Sequence, residues 1–176
     1  MEREEIVAAL LKAAGGQLVG RVRLQKTVYL LDQLGLESGF DYDYHHYGPF
    51  SRDIDNAVAD AEAFELVEEK FGRRQVDGAR YSIFKLTDEG YELPAMIGRL
   101  DGVELQRLLQ EFQEANVTVL ELAATANWLV KEEGQDDWQE SLRRRKGRKV
   151  NGGRLDRALA LLRDIGLPPG TVEASA

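Results

Sequence analysis

The chain has 176 residues, 43% of them hydrophobic, a formal net charge of −8 and no cysteine. That length suits one ordinary domain, which buries roughly 70% of the surface its unfolded chain would expose and needs no covalent staple. The missing cysteines exclude disulfides, thiolate nucleophiles and cysteine-based zinc or iron–sulfur sites, and the negative charge argues against whole-molecule attraction to DNA or anionic membranes.

The opening stretch, with Ile6, Leu10 and Ala14 on one stripe and Val7 and Leu11 beside it, has the spacing of an amphipathic helix ended by Gly15-Gly16. It lacks the basic start and apolar core of a signal peptide, and no run approaches about 18 apolar residues, so a cytoplasmic protein without a membrane partner is expected. A second helix spans about 22–34, with Leu24, Val28 and Leu31 inward and Arg21, Arg23, Lys26 and Gln33 mostly outward. Residues 40–47 alternate Phe40, Tyr42 and Tyr44 with Asp41, Asp43 and His45, the period of a short extended segment that packs its aromatics. Gly48-Pro49 should break that segment, and Ser51 is a good N-cap for a third helix over about 52–64 carrying Ile54, Val58, Ala61 and Phe64.

Between 66 and 86 the period changes, and Asp77-Gly78 marks the turn of a two-stranded hairpin. Thr87 followed by Asp88-Glu89 predicts a short helix that Pro94 ends. From 101 onward the pattern is helical, over about 102–115, 117–133, 136–146 and 153–165. The second of these is apolar nearly all round, as befits a buried helix.

Three helices followed by a hairpin is the order of a winged helix. The expected fold is therefore α+β and mostly α: a winged-helix-like part over 1–98 with one β-hairpin, helices over 99–167 extending the same globular unit, and a frayed tail over 168–176. The C-terminal helices either pack over the wing or form a homodimer contact; spacing leaves both open.

The string Tyr42 to Ser51 holds both histidines, His45 and His46. Neighbours on an extended chain point to opposite faces, and no third ligand has a suitable spacing, so neither a metal nor a cofactor is expected. A hydrolase built on His45, His46, Asp43 and Ser51 has the residue types of a triad but no nucleophile elbow. The structural alternative is aromatics filling the core beneath the second helix, with the imidazoles bonded to backbone. The glycine pairs lack the spacing of a phosphate-binding loop.

Nucleic-acid binding needs a surplus of cations. The third helix has the reverse: residues 51–65 carry Asp53, Asp55, Asp60, Glu62 and Glu65 against Arg52. A winged helix that inserts this element into a duplex groove would meet repulsion. Two basic elements remain, the wing with Lys70, Arg73, Arg74, Arg80 and Lys85, and the run Arg143, Arg144, Arg145, Lys146, Arg148 and Lys149. The latter is either a contact for phosphate or an acidic partner, or a solvated helix end.

The run RVRLQKTVYLLDQLG, then YDYHHYGPFSRDIDNAV, then a hairpin ending FKLTDEG resembles the bacterial YwgA family, over about residues 1–165. More distantly, the chain is similar to the SocA-like (Panacea) antitoxin and adaptor domain, which pairs a K-L-xx-L-x-Y-type helix with a YGP-type turn. The resemblance implies a module that grips other proteins, neutralising toxins or delivering clients for proteolysis, with Lys26, Tyr29, Tyr47, Gly48 and Pro49 as shared framework. The leading expectation is thus a non-enzymatic regulatory or adaptor module that binds a protein partner through the region of Lys26, Tyr29, His45, His46, Tyr47, Gly48, Pro49 and Ser51. A DNA-binding regulator using the wing and the basic run stands as the alternative, and a hydrolase centred on the histidines as the third.

Overall fold

The computed structural model describes residues 1–171. Seven helices dominate these residues: α1 (Arg3–Ala13), α2 (Arg21–Leu34), α3 (Arg52–Ala63), α4 (Gly102–Glu114), α5 (Val117–Lys131), α6 (Trp138–Lys146) and α7 (Arg154–Ile165). Seven short strands accompany them: β1 (Gln17–Val19), β2 (Asp43–His45), β3 (Gly48–Phe50), β4 (Val67–Arg73), β5 (Arg80–Leu86), β6 (Met96–Ile97) and β7 (Leu100–Asp101). The fold is α+β and mostly α.

Side-chain caps set several of the helix starts. Ser51 Oγ accepts from the Asp53 amide, Asp101 from that of Glu104 and Asn116 from those of Thr118 and Val119, so orphan donors at each N-terminus are satisfied. At the other end of α4 the guanidinium of Arg23 donates to the carbonyls of Phe112 and Ala115 at 2.6 and 2.7 Å. Arg23, expected to face outward, is in fact half-buried cement between α2 and α4.

Helix α5 is the axle. Its residues from Val119 to Asn127 are buried without interruption, and it packs on α2, α6, α7 and β3. A helix with no polar face can be stable only inside, which is what its composition demanded. The core runs without a break from Ile6 and Leu10 on α1 through Leu30 and Leu120 to Leu162 on α7. The two expected stretches, 1–98 and 99–167, therefore share one core.

Strands β4 and β5 form the expected hairpin, and β1 joins it from the far side of β5 to give the order β1-β5-β4. Two further hairpins were not anticipated, β2–β3 and β6–β7. At three residues β1 is too short to show any period. The helix expected after Thr87 is absent. Thr87 instead spends its hydroxyl on the Glu65 carbonyl, Asp88 closes a turn on the Gly90 amide, and too few residues remain before Pro94 for a helix. In the β6–β7 turn Gly98 has φ +58°, and an added Cβ would lie 2.3 Å from the Leu36 carbonyl oxygen.

The tail also departs from expectation up to its described end. Pro169 and Gly170 are buried, and Asn127 Nδ2 donates to the Pro168 carbonyl at 2.8 Å. Residues 172–176 of the expected frayed segment lie outside the described residues. Among the described residues no helix is long and apolar enough to cross a membrane.

A continuous core predicts shared stability. Leu120→Ala should cost about 2–5 kcal/mol in chemical denaturation. Amide exchange should quicken together in α1 and α7; acceleration confined to the C-terminal helices would contradict a single core.

Candidate functional site

Most of the residues singled out between Lys26 and Ser51 converge on the β2–β3 hairpin and its bed. Asp43 pairs with Phe50, Tyr44 with Pro49 and His45 with Gly48, leaving His46 and Tyr47 as the two-residue tip. Gly48-Pro49, expected to break the extended segment, is itself a strand. Proline is tolerated on a short edge strand, and here its free carbonyl is put to use.

The bed is made by α2. Lys26, expected to face solvent, is 1% exposed, and its ammonium donates to the Pro49 carbonyl at 2.6 Å. Beside it Gln25 grips Ser51 at both ends: Nε2 donates to the Ser51 carbonyl and Oε1 accepts from the Ser51 amide, each at 2.9 Å. One turn on, the Tyr29 hydroxyl donates to Asn127 Oδ1 of α5 at 2.8 Å, and its ring meets that of Tyr42 edge to face, with centroids 5.2 Å apart. The Tyr42 hydroxyl donates to Asp32. Ser51 Oγ accepts from the Asp53 amide as the cap of α3, and the rings of His45 and His46 lie against Phe50 and Tyr47.

From the other side α5 and α6 close on the hairpin. Glu121 of α5, almost wholly buried, holds Lys149 at 2.9 Å and Lys146 at 3.4 Å, and Lys146 also donates to the His46 carbonyl at 3.3 Å. Gly48 has φ +97°, and a Cβ there would lie 2.4 Å from Thr125 Oγ1. Only glycine fits so close to α5. Three lysines thus gather round one carboxylate. Burial, then the neighbouring Lys146, pulls the Lys26 ammonium down to about 8, Glu121 opposing and Lys149 adding to the effect. Burial likewise lowers Lys146, again against the pull of Glu121.

The exposed side of this assembly is aromatic and cationic. His45 stacks on Phe50 at 4.5 Å and His46 meets Tyr47 edge to face at 5.0 Å. Among the described residues neither imidazole has the backbone hydrogen bond that was expected, and both are exposed. Lys149 lies 4.8 Å over the Tyr47 ring and Arg145 4.7 Å over that of Tyr44. Arg145 also grips Glu133 with two bonds of 2.7 and 2.8 Å, which holds the guanidinium firmly charged. Among the described residues no group of three or more His, Asp or Glu could hold a metal ion.

The basic run is an ordered helix end whose cations are partly paired within the chain. Arg143 to Lys146 form the last turn of α6, and a 3-10 turn continues over Gly147–Val150. Arg145, Lys146 and Lys149 are tied to carboxylates and Arg144 to Ser141, while Arg143, Arg144, Arg145 and Arg148 are all exposed. The wing cations sit on different elements, with Arg73 bonded to the Gly78 carbonyl, Arg74 paired to Asp77 and Arg80 lying 4.1 Å over Phe71. On α3, Asp55 meets Arg21 and Asp60 meets Arg3, so part of the acidity seen along the sequence is neutralised by α1 and α2.

Sequence reasoning missed Gln25, Glu121, Thr125 and Asn127. A signal was present. Polar residues inside an otherwise apolar helix must find partners once buried, so Glu121 and Asn127 on α5 pointed to a network.

Two tests follow from this geometry. Gly48→Ala should cost about 1–3 kcal/mol, from a positive φ together with the contact on Thr125, measured by denaturant melts. The second concerns pH. Between about 8 and 10.5 the unfolded chain keeps a proton that folded Lys26 has released, so this group makes stability rise with pH there, by at most about 1.4 kcal/mol per unit; below 8 both states are charged and its slope vanishes. Lys26→Met should flatten the profile measured from pH 8 to 9.5; an unchanged slope would exclude Lys26 as its source.

Comparisons with known proteins give two relatives. The chain is 30% identical over 138 residues to a DNA ADP-ribosyl glycohydrolase of Thermus aquaticus, a match covering 74% of this chain and 37% of that protein. It is 29% identical over 97 residues to YwgA of Bacillus subtilis, covering 50% of this chain and 57% of the relative. The chain thus spans well under two thirds of either relative. The second similarity supports a YwgA-like chain. No family model matches it. No solved structure matches it either.

Proposed function

We propose that the chain is a regulatory or adaptor module that works by gripping a protein partner, in the manner of an antitoxin restraining its target. The observation that carries this reading is the seating of the β2–β3 hairpin. Its backbone is bolted to α2 through Gln25 and Lys26 and to α6 through Lys146, while His45, His46 and Tyr47 stand exposed beside Lys149. A rigid aromatic and cationic tip is the kind of anchor that protein interfaces favour, because little side-chain entropy is lost on docking.

We read the first three helices, β1 and the β4–β5 hairpin as a winged-helix arrangement into which β2–β3 is inserted between α2 and α3. In such a fold α3 is the groove-reading element. Here it carries Asp53, Asp55, Asp60 and Glu62, and the arginines that meet Asp55 and Asp60 neutralise without giving a cationic surplus. The rival reading, duplex binding through Arg73, Arg74 and Arg80 with the 143–149 run, is weakened because the wing packs on α1 and α3 whereas α6 packs on α5.

Glycohydrolysis enters as a further rival from the name of the Thermus relative. The partial coverage of that protein leaves room for its activity to reside outside the matched region. The commitment of Ser51 to α3 and of Lys26 to Pro49 adds no support for a reaction here.

A photo-crosslinking side chain at position 47, in the full chain expressed in its native host, should yield one discrete protein adduct. Tyr47→Ala should weaken binding of that protein at least about tenfold, the scale of an interface anchor. In parallel, the chain should release no ADP-ribose from modified DNA and should not shift duplex DNA at low salt. Nucleic-acid adducts, or a salt-steep mobility shift lost on changing Arg143 and Arg144 to alanine, would overturn the reading in favour of the DNA regulator. Release of ADP-ribose would overturn it in favour of an enzyme.

A further inference from the structure

Trp128 of α5 borders two neighbouring niches. Its ring lies 6.4 Å from that of Tyr44, over which the Arg145 guanidinium stacks. Glu133 completes that niche, taking both Arg145 nitrogens and also the Trp128 indole N–H at 3.1 Å. Aromatic floor, carboxylate and planar cation form a closed set within the chain.

Trp128 also lies 6.2 Å from Tyr29, and with Tyr42, Phe40 and the amide of Gln33 these rings line a cleft of about 280 Å³. The rim again carries carboxylates, those of Glu132 and Asp41. Both residues are exposed, and among the described residues no lysine or arginine pairs with either. The two phenols of the floor are already committed elsewhere. The Tyr29 hydroxyl is spent on Asn127 and that of Tyr42 on Asp32. Burial above all, with the Glu132 charge adding to it, raises Tyr29 so that it stays a neutral phenol.

We propose that this cleft seats the guanidinium of an arginine supplied by the protein partner, stacked on the aromatic floor and bridged to Glu132 and Asp41. The proposal rests on the reading of the chain as a protein-binding module and names the chemistry it recognises. An anion would meet two carboxylates. A neutral apolar group would satisfy the rings but strip water from the rim without compensation. An ammonium would find charge but not the stacking that a planar cation makes, and the adjoining niche already holds a guanidinium in that pose. At about 280 Å³ the cleft falls just below the span of about 300–1,000 Å³ usual for a small-molecule site.

The test uses the intact chain and small probes. The indole N–H resonance of Trp128 is followed by NMR during titration with N-acetyl-arginine methylamide, with Trp138 of α6 as internal control. A saturable shift of Trp128 alone, in the millimolar range, is expected. The neutral citrulline analogue should give none, the lysine analogue should bind at least threefold more weakly, and Glu132→Gln should weaken the arginine probe at least fivefold with an unchanged melting temperature. No saturable shift, citrulline or lysine binding as well as arginine, or an indifferent Glu132→Gln variant would overturn the proposal. Because the probes need no partner, a failed titration alongside a protein adduct at position 47 removes only the cleft. A successful titration with no protein adduct keeps a guanidinium site and removes the protein as its source.

Discussion

A charge that has been taken out of water must be met by an oxygen, and in this fold that necessity falls on Lys26. Its ammonium is buried on α2 and its acceptor is the Pro49 carbonyl on β3. Separating the two would strip the buried ammonium of its acceptor, and hydrogen bonds to charged groups contribute about 1.5–3 kcal/mol. Helix and hairpin are therefore expected to move as one body. Glu121 answers the surplus of positive charge from the opposite side, so α5, α6 and the 3-10 turn are drawn to the same point.

This arrangement explains why a string that looks reactive in one dimension is architectural in three. The peptide groups of Pro49 and Ser51 face inward and are held by side chains of α2, and the His46 carbonyl is held by Lys146; the histidine and tyrosine side chains of the tip face outward. The inward half explains why Gly48 can be nothing larger. The outward half, with Lys149 over Tyr47 and Arg145 over Tyr44, is ordered by the same contacts that order the core. The cleft beside Trp128 adjoins this surface, because Trp128 also meets the Tyr44 ring.

Periodicity made the long helices legible: α4, α5 and α7 fall within a residue or two of their expected bounds, and the all-round apolar character of α5 foretold its central place. Short elements were hidden for the same reason, since three residues of β1 or two of β6 carry no period. Lys26 was misread because a charge on a helix is taken as outward, yet Leu24 to Leu31 leave α2 no outward face over two turns. The acidity of α3 was read correctly along the chain but incompletely in space, because Arg3 and Arg21 reach it from other helices. Long-range pairing of that sort leaves no mark in local sequence.

The central claim is that the β2–β3 hairpin is held rigid by the interior of the free chain. Backbone relaxation measured by NMR on the free chain examines it directly. Order parameters at His45 to Ser51 should match those of the helices, about 0.85, with slow exchange of the Ser51 amide. Values below about 0.6 across the tip, with a freely exchanging Ser51 amide, would contradict it.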